Sequence, residues 1–183
     1  MVTLLGISGS LRRASYNSAL LRAATRLMPP EATLESASIR GIPLYDGDVE
    51  AQGMPAAVTA LKEAVVAAAG VLLVTPEYNN SVPGVLKNAI DWLSRPNSDV
   101  KRVFKGRPFA VIGASPGGFG TTLSQAAWLP VLRTLGAQFW AGGRLQVSRA
   151  ASVFDEAGNL KDSDVEEQLK QFLAGYVAFV LSR

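Results

Sequence analysis

Short apolar runs alternate with amphipathic stretches along the whole chain. Residues 71–74 are four consecutive apolar positions, and residues 2–7 and 109–113 form similar runs with few polar positions. Such runs are typical of strands that are buried on both faces of a parallel sheet. Between them, as in residues 55–69, apolar positions recur at spacings of three and four, which is the pattern of a helix with one buried face. The pattern therefore predicts an α/β protein with helices on both faces of a parallel sheet.

The predicted elements cover most of the chain, and we expect one domain over residues 1–183. The predicted strands are residues 2–7, 32–39, 71–74, 109–113 and 138–147, the last interrupted by Gly142 and Gly143. The predicted helices are residues 18–28, 55–69, 83–93, 121–135 and 162–181, the fourth with a candidate kink at Pro130. Residues 40–54 and 95–105 are predicted to be loops. Ligands of such sheets bind beyond the carboxyl ends of the strands, so the loops after strands 1, 3 and 4 are the places to look.

The composition limits the catalytic mechanisms and metal sites that are available, because the chain contains no histidine and no cysteine. Ser-His-Asp and Cys-His catalysis are therefore excluded. Disulfides, thiolate nucleophiles, zinc–thiolate sites and protein-ligated iron–sulfur clusters are excluded as well. We predict no metal site, although oxygen-ligand metals such as magnesium remain open. If the chain is an enzyme, a bound cofactor is expected to carry the difficult chemistry.

Charge and hydropathy lead to expectations about the ligands and the cellular location of the protein. The chain has 18 Lys and Arg against 15 Asp and Glu, without a basic run, which favours small anionic ligands modestly and argues little for nucleic acid. The longest nearly apolar stretch, residues 64–74, is far shorter than the about 20 residues that span a bilayer. The first residues are apolar before they are basic, the reverse of a signal peptide. We expect a cytoplasmic protein that binds neither membrane nor nucleic acid.

The first loop, residues 6–17, leaves a predicted strand and enters a predicted helix. Its short polar side chains and arginines are Ser8, Ser10, Arg12, Arg13, Ser15 and Asn17. Free N–H groups at a helix start, hydroxyls and an arginine together favour a phosphate site. The loop lacks Gly-Lys-Ser/Thr, and Ser8 and Leu11 stand where the dinucleotide pattern needs glycine. We therefore predict a terminal phosphate monoester here; the alternative is a plain helix cap with two solvated arginines.

The second loop, residues 75–84, follows the most apolar predicted strand. Pro76 and Pro83 stiffen its two ends, and Tyr78 beside Asn79 offers a flat face and amide hydrogen bonds. That combination suits a planar heteroaromatic ring. The alternative is a rigid turn that caps the next helix through Ser81.

The third loop, residues 113–121, follows the fourth predicted strand and matches G-x-S-x-G, with Ser115 in the position of a nucleophile. A hydrolase of this kind needs a histidine, and the chain has none. Beside the other two loops, this one is better interpreted as a glycine-rich rim whose N–H groups approach a ring carbonyl closely.

Together the three loops resemble the NAD(P)H-dependent FMN reductase family, which includes quinone, chromate and azo-dye reductases. The resemblance is carried by GSLRxxSxN in residues 9–17, PEYNxSVPGxLKNAIDW in residues 76–92 and SPGGxG in residues 115–120. It spans about residues 4–121; beyond Thr121 we expect a likeness of architecture only. The resemblance implies a flavodoxin-like three-layer sandwich, a five-stranded parallel sheet in order 2-1-3-4-5, with FMN at its carboxyl edge.

The resemblance also implies roles for individual residues. Ser10, Arg12, Ser15 and Asn17 would hold the FMN phosphate; Pro76, Glu77, Tyr78 and Asn79 would border the isoalloxazine; Ser115, Gly117, Gly118 and Gly120 would line its other edge. The implied activity is hydride transfer from NADPH or NADH to FMN, and onward transfer to a quinone, free flavin, azo compound or metal oxyanion. No protein residue is nominated as catalytic.

A homodimer is expected, with a homotetramer as a further possibility, and the resemblance implies that the helix ending at Asp91-Trp92 lies near the contact. The alternative for each tryptophan is an ordinary core position. Some relatives carry an aromatic and basic cluster after the third loop, whereas residues 125–129 contain no basic residue. Acceptor preference and the tetramer therefore remain open.

Three other functions remain open: a flavodoxin-type electron carrier without nicotinamide activity, a flavin-free scaffold, and an esterase acting through Ser115. Carriers of the first kind are usually acidic, whereas this chain has a net charge of +3, which disfavours that alternative. The choice between NADPH and NADH, and between bound and exchanging FMN, is also open.

Overall fold

The sheet is parallel, and its strand order reverses once. The computed structural model describes Met1–Arg183. The strands are β1 Val2–Ser8, β2 Ala32–Ala37, β3 Gly70–Val74, β4 Pro108–Ala114, β5 Gln138–Phe139 and β6 Gln146–Val147. They lie in the order β2-β1-β3-β4-β5, and β6 also pairs with β4. This confirms the predicted order and the flavodoxin-like architecture.

Helices cover both faces of this sheet. They are α1 Tyr16–Arg26, α2 Gly47–Gln52, α3 Ala56–Ala67, α4 Gly84–Leu93, α5 Val100–Val103, α6 Thr122–Thr134, α7 Ala150–Val153 and α8 Ser163–Leu181. The five predicted helices agree with α1, α3, α4, α6 and α8 to within a few residues. The short helices α2 and α5 lie inside the predicted loops 40–54 and 95–105, and a 3-10 turn, Asn97–Asp99, precedes α5. Helices of four to six residues have too few turns to show an apolar period.

Two hydrophobic clusters, one on each face, explain the apolar strands. Leu72 of β3 belongs to the cluster under α1 and α8, whereas Leu73 belongs to the cluster under α3, α4 and α6. Successive strand residues point to opposite faces, so a strand between two helical layers must be apolar at every position. Tyr176 of α8 is the polar exception, and its hydroxyl lies 2.9 Å from the Val71 carbonyl and 3.0 Å from that of Pro108. Its burial raises the pKa of this phenol far above the ordinary value.

The predicted single strand over residues 138–147 is wrong, because β5 and β6 are separate two-residue strands that both pair with β4. Between them the chain folds around the Trp140 ring. A Cβ on Gly142 would lie 2.6 Å from Nε1 of Trp140, and one on Gly143 would lie 2.8 Å from its Cη2. The glycine pair that looked like an interruption is therefore what allows the strand to leave the sheet and return.

The strand register brings the loops together. Ser8 at the end of β1 is level with Val74 at the end of β3, and Val74 is level with Ile112 of β4. The backbone N–H of Gly9 extends the ladder by donating to the Val74 carbonyl at 2.8 Å. The first, second and third loops consequently start side by side. No helix in the chain is both long and apolar enough to cross a membrane.

Candidate active site

The first, second and third loops meet at one shallow cleft, of about 60 Å³, at the carboxyl edge of the sheet. Eight residues that the sequence singled out line it: Ser10, Arg12, Ser15, Asn17, Pro76, Glu77, Tyr78 and Ser115. Four other predicted site residues are not part of this lining: Asn79, Gly117, Gly118 and Gly120. Since the neighbours β1 and β3 are out of chain order, the cleft lies where this sheet type binds ligands.

The first loop presents hydroxyls and a positive charge at the start of α1. Ser15 is the N-cap, and its Oγ accepts from the Ser18 N–H at 3.3 Å. The Oγ of Ser10 accepts from the Arg12 N–H at 3.3 Å. Both hydroxyl groups keep their own proton to donate, and the Arg12 side chain is exposed. These groups fit a phosphate monoester, and their assignment to the FMN phosphate stays a prediction.

Asn17 is engaged in holding two loops together. Its side chain is buried, with 3% exposed. The amide nitrogen donates to the Ala114 carbonyl at 2.8 Å, and the amide oxygen accepts from the Ala114 N–H at 2.9 Å. This pairing imitates a strand ladder and joins the first loop to the end of β4. Only one amide N–H of Asn17 remains for a phosphate.

The second loop is a tight hairpin turn. Tyr78 and Ser81 exchange backbone hydrogen bonds of 3.1 and 3.0 Å, while Asn79 and Asn80 between them have φ values of 50° and 60°. Asparagine tolerates this left-handed region better than most residues do. The turn leaves Tyr78 47% exposed at the cleft. The alternative in which Ser81 caps the next helix is wrong, because α4 has no side-chain cap bond and its N-cap is Pro83.

Glu77 lines the cleft, but its carboxylate is directed at a helix. Its Oε2 accepts from the N–H groups of Leu123 at 2.8 Å and Ser124 at 2.9 Å. These are unpaired donors in the first turn of α6, where the helix dipole favours a negative charge. Glu77 therefore ties the second loop to α6, a role that the sequence did not indicate.

A buried polar network supports the second loop from below. The Thr75 hydroxyl donates to the Pro76 carbonyl at 2.8 Å, lies 2.9 Å from the Ser124 Oγ and accepts from Trp128 Nε1 at 3.1 Å. Gly113 packs against the same place, since a Cβ there would lie 2.1 Å from the Thr75 carbonyl oxygen. Sequence reasoning missed this network, because a lone Thr or Ser carries no signal of its partner across the fold.

The glycines of the third loop differ in whether neighbouring atoms leave room for a side chain. Gly120 has a φ of 62°, and a Cβ there would lie 2.9 Å from the Gln146 backbone. A Cβ on Gly118 would meet nothing within 4 Å, and one on Gly117 would meet only the Ser115 Oγ at 3.9 Å. Protein packing therefore explains Gly120 but leaves Gly117 and Gly118 as an open rim.

Ser115 is not arranged as a nucleophile. Its hydroxyl donates to the Gly120 carbonyl within the same loop. No histidine exists to accept its proton, and no carboxylate lies within hydrogen-bonding distance of it. The G-x-S-x-G match thus has a structural explanation, and the esterase alternative has no support.

The family is decided by comparison with known sequences. A sequence model described as NADPH-dependent FMN reductase matches residues 2–152. The chain belongs to the NADPH-dependent FMN reductase family. The match continues well past Thr121, so the expectation of a purely architectural likeness beyond that residue is wrong.

Relatives in this family are similar over nearly the whole chain. An NAD(P)H-dependent FMN reductase from Pseudomonas aeruginosa is 46% identical over 94% of this chain and 91% of its own length. A 2-hydroxy-1,4-benzoquinone reductase from a Burkholderia species is 37% identical over 97% of this chain and 95% of its own length. The structure of FerB, a flavoenzyme NAD(P)H:(acceptor) oxidoreductase from Paracoccus denitrificans, superposes with a TM-score of 0.89 at 32% identity, covering 100% of this chain and 98% of FerB. The predicted oxidoreductase class, with FMN and NAD(P)H as its cofactors, is confirmed.

The residues at the cleft fit FMN. Hydroxyls, the N-terminus of α1 and Arg12 line it from the first loop, and they suit the phosphate of the cofactor. An exposed Tyr78 from the second loop lines the same cleft, and the open rim at Gly117 and Gly118 follows its lining residues Ser115 and Pro116; a flat ring needs such a face and close backbone approach. Every buried polar side-chain atom of the protein has a hydrogen-bond partner within the chain.

Proposed function

We propose that this FMN reductase passes electrons from NAD(P)H to small quinones, and that its FMN lies in the three-loop cleft. The observation that carries the proposal is that a phosphate-type loop and an exposed aromatic ring line one cleft, and that an open glycine rim follows directly after Ser115 and Pro116 of its lining. The cleft is shallow, so a ring system would lie against it with one face uncovered. The Burkholderia relative, named for a benzoquinone, supports a quinone as the acceptor.

The residues of the chain act by placement. When bound, FMN supplies the hydride chemistry between nicotinamide and acceptor. Ser10, Ser15 and Arg12 would hold its phosphate, with the first turn of α1 contributing N–H groups. The N–H groups of Gly117 and Gly118 would lie near the ring, where they favour negative charge. Glu77 is occupied with α6, so we assign no proton-transfer residue.

A visible absorption spectrum of the purified protein tests this proposal. We expect flavin bands that bleach when NADPH is added and return when a benzoquinone follows. A yellow protein that oxidises neither NADPH nor NADH would instead support the electron carrier. A colourless protein that does not take up added FMN would support the flavin-free scaffold.

We further propose that residues 1–183 act as a single FMN-binding domain, that the protein works in the cytoplasm, and that it forms a homodimer. Support for the dimer comes from apolar side chains left at the surface near α4. Leu44 is 81% exposed, and Tyr45 and Val85 are also exposed. Trp92 is not itself at the surface, because it is fully buried. Its Nε1 donates to the Pro43 carbonyl at 2.9 Å, so it supports this segment from within.

A further inference from the structure

A second cleft lies on the other side of the first loop, toward β2. Its volume is about 390 Å³. Its polar lining consists only of hydroxyls and guanidinium groups: Ser8, Ser10, Ser18, Ser36, Ser38, Arg12, Arg13, Arg22 and Arg40. The remaining lining residues are apolar, and no carboxylate is among them. We refer to it as the serine–arginine cleft.

The four arginines of this cleft have no ionic partner. The five ion pairs of the chain involve Lys62, Lys87, Lys170 and Arg102 as cations. Arg40 donates to the Leu11 carbonyl at 2.7 Å, and Arg22 to the Gly158 carbonyl at 3.4 Å, both neutral acceptors. The Arg13 side chain makes no hydrogen bond within the chain. The serine–arginine cleft itself holds no carboxylate, whereas Asp155 and Glu156 line a neighbouring pocket together with Arg12, Arg13 and Arg22. Because Arg12 is assigned to the flavin phosphate, Arg13, Arg22 and Arg40 are the positive charges that favour an anionic ligand here.

The position of the cleft relates it to the flavin site. Ser36, one residue before the end of β2, lies level with Gly6 of β1. The serine–arginine cleft therefore opens beyond β1 and β2, whereas the flavin cleft opens beyond β1, β3 and β4. Ser10 and Arg12 line both clefts. From β4 to β2 there are three strand spacings, about 15 Å at about 4.8 Å each. A dinucleotide whose nicotinamide reaches the glycine rim can span this distance.

The lining chemistry selects among the parts of such a dinucleotide. A ribose with a free 2′-hydroxyl is best held by a carboxylate, whereas a 2′-phosphate is best held by arginine. Arginine and serine donors suit the dianion of a phosphate monoester. We propose that the serine–arginine cleft binds the 2′-phosphate of NADPH and makes the enzyme prefer NADPH over NADH. This inference rests on the proposed function, because it assumes that the nicotinamide reaches an FMN in the neighbouring cleft.

Binding of adenosine 2′,5′-bisphosphate and of 5′-AMP to the FMN-loaded protein tests the inference without turnover. In calorimetric titrations we expect the bisphosphate to bind about tenfold tighter or more, as one or two charge-assisted hydrogen bonds would give. Arg13→Gln and Arg22→Gln should each reduce this preference several-fold. Arg26→Gln is the matched control, because Arg26 lies on α1, is exposed and is absent from the cleft lining.

The flavin content of each variant separates this inference from the proposed function. Arg13→Gln and Arg22→Gln should retain FMN and raise KM for NADPH while KM for NADH and kcat stay the same. Equal affinity for the two adenine nucleotides, or an equal effect of Arg26→Gln, would overturn the assignment. Inorganic phosphate binding as tightly as the bisphosphate would also overturn it, since the cleft would then be a general anion site. A protein that never holds FMN would instead contradict the proposed function.

Discussion

Individual residues at the cleft divide into those that hold the protein together and those left free for a ligand, and Asn17 and Arg12 represent the two kinds. Both belong to the first loop and to the same resemblance. Asn17 has its amide paired with Ala114 on both sides, whereas the Arg12 side chain forms no hydrogen bond or ion pair within the chain. Substitution of each should therefore have a different thermodynamic signature.

Asn17→Ala should lower the free energy of unfolding by about 2 kcal/mol or more, because it leaves a buried N–H and a buried carbonyl at Ala114 without partners. FMN affinity should fall with it, since the first and third loops lose their connection. Arg12→Gln should lower FMN affinity about tenfold with little change in stability. Urea unfolding of the apoprotein and fluorescence titration with FMN measure the two quantities. Unchanged FMN affinity of the Arg12→Gln protein would show that Arg12 does not bind the FMN phosphate.

At the scale of elements, the second loop is fixed from two sides, by Glu77 at the start of α6 and by the Thr75 network below. Glu77→Ala would leave two N–H groups of α6 without their acceptor, so we expect a loss of about 1–2 kcal/mol in unfolding free energy. FMN affinity should also fall, because Tyr78 adjoins the freed residue. Glu77→Gln keeps an acceptor oxygen and should recover part of both losses. Glu31→Ala, at an exposed position without side-chain bonds, is the control; a Glu77→Ala protein as stable as that control would contradict the bridging role.

A second connection between elements joins α3 to the turn before α5 and depends on pH. Lys62 is buried, and its Nζ donates to Asp99 at 2.8 Å. This hydrogen bond lowers the pKa of Asp99 below its ordinary value. Folded protein therefore holds fewer protons on Asp99 than unfolded protein, so the stabilisation is present at neutral pH and is lost as pH falls through the lowered pKa. Lys62→Met should destabilise the protein by about 2 kcal/mol at pH 7.

The same variant checks the sign of that linkage. Between pH 7 and pH 3, wild-type protein should lose more unfolding free energy than Lys62→Met does, as measured by urea unfolding at each pH. Lys101→Met is a suitable comparison, because Lys101 is exposed and forms no ion pair. If Lys62→Met and wild type lost equal stability over this range, Asp99 would not be the linked group.

The elements also show what the sequence could predict. β3 and β4 were predictable because each is an uninterrupted apolar run, and α4 because its apolar positions recur at helical spacing. The division of the last strand into β5 and β6 was not predictable, because it depends on how Gly142 and Gly143 pack on Trp140. At the site, the three loops and most of their residues were predictable from motif chemistry. The hydrogen bonds by which Glu77 and Asn17 connect distant segments were not predictable. Their partners lie 46 and 97 positions away, and a single sequence does not show which distant residues meet.

At the scale of the whole molecule, apolar side chains lie exposed at the surface near α4, with Leu44 81% exposed. Val85, Asn88 and Trp92 follow one another at helical spacing on one face of α4. The Asn88 amide accepts from the Tyr45 N–H at 2.8 Å and donates to the Pro43 carbonyl at 2.8 Å. The Tyr45 ring also stacks edge-on against Trp92, with centroids 5.0 Å apart. Residues 43–45 are thus held rigidly against α4, with Leu44 directed at solvent.

An apolar surface whose backbone is already held in place is typical of a permanent protein–protein contact, because less ordering entropy has to be lost on association. We therefore predict that gel filtration with light scattering gives a mass near twice the 19.3 kDa of the chain. Leu44→Asp together with Val85→Asp should convert the dimer to a monomer, since two charges would be buried without partners. Phe119→Asp is the control, because Phe119 is 82% exposed but belongs to the third loop rather than to this surface. A wild-type protein that is a monomer would contradict the proposed dimer. A double variant that stays dimeric would show that the dimer contact lies on another surface.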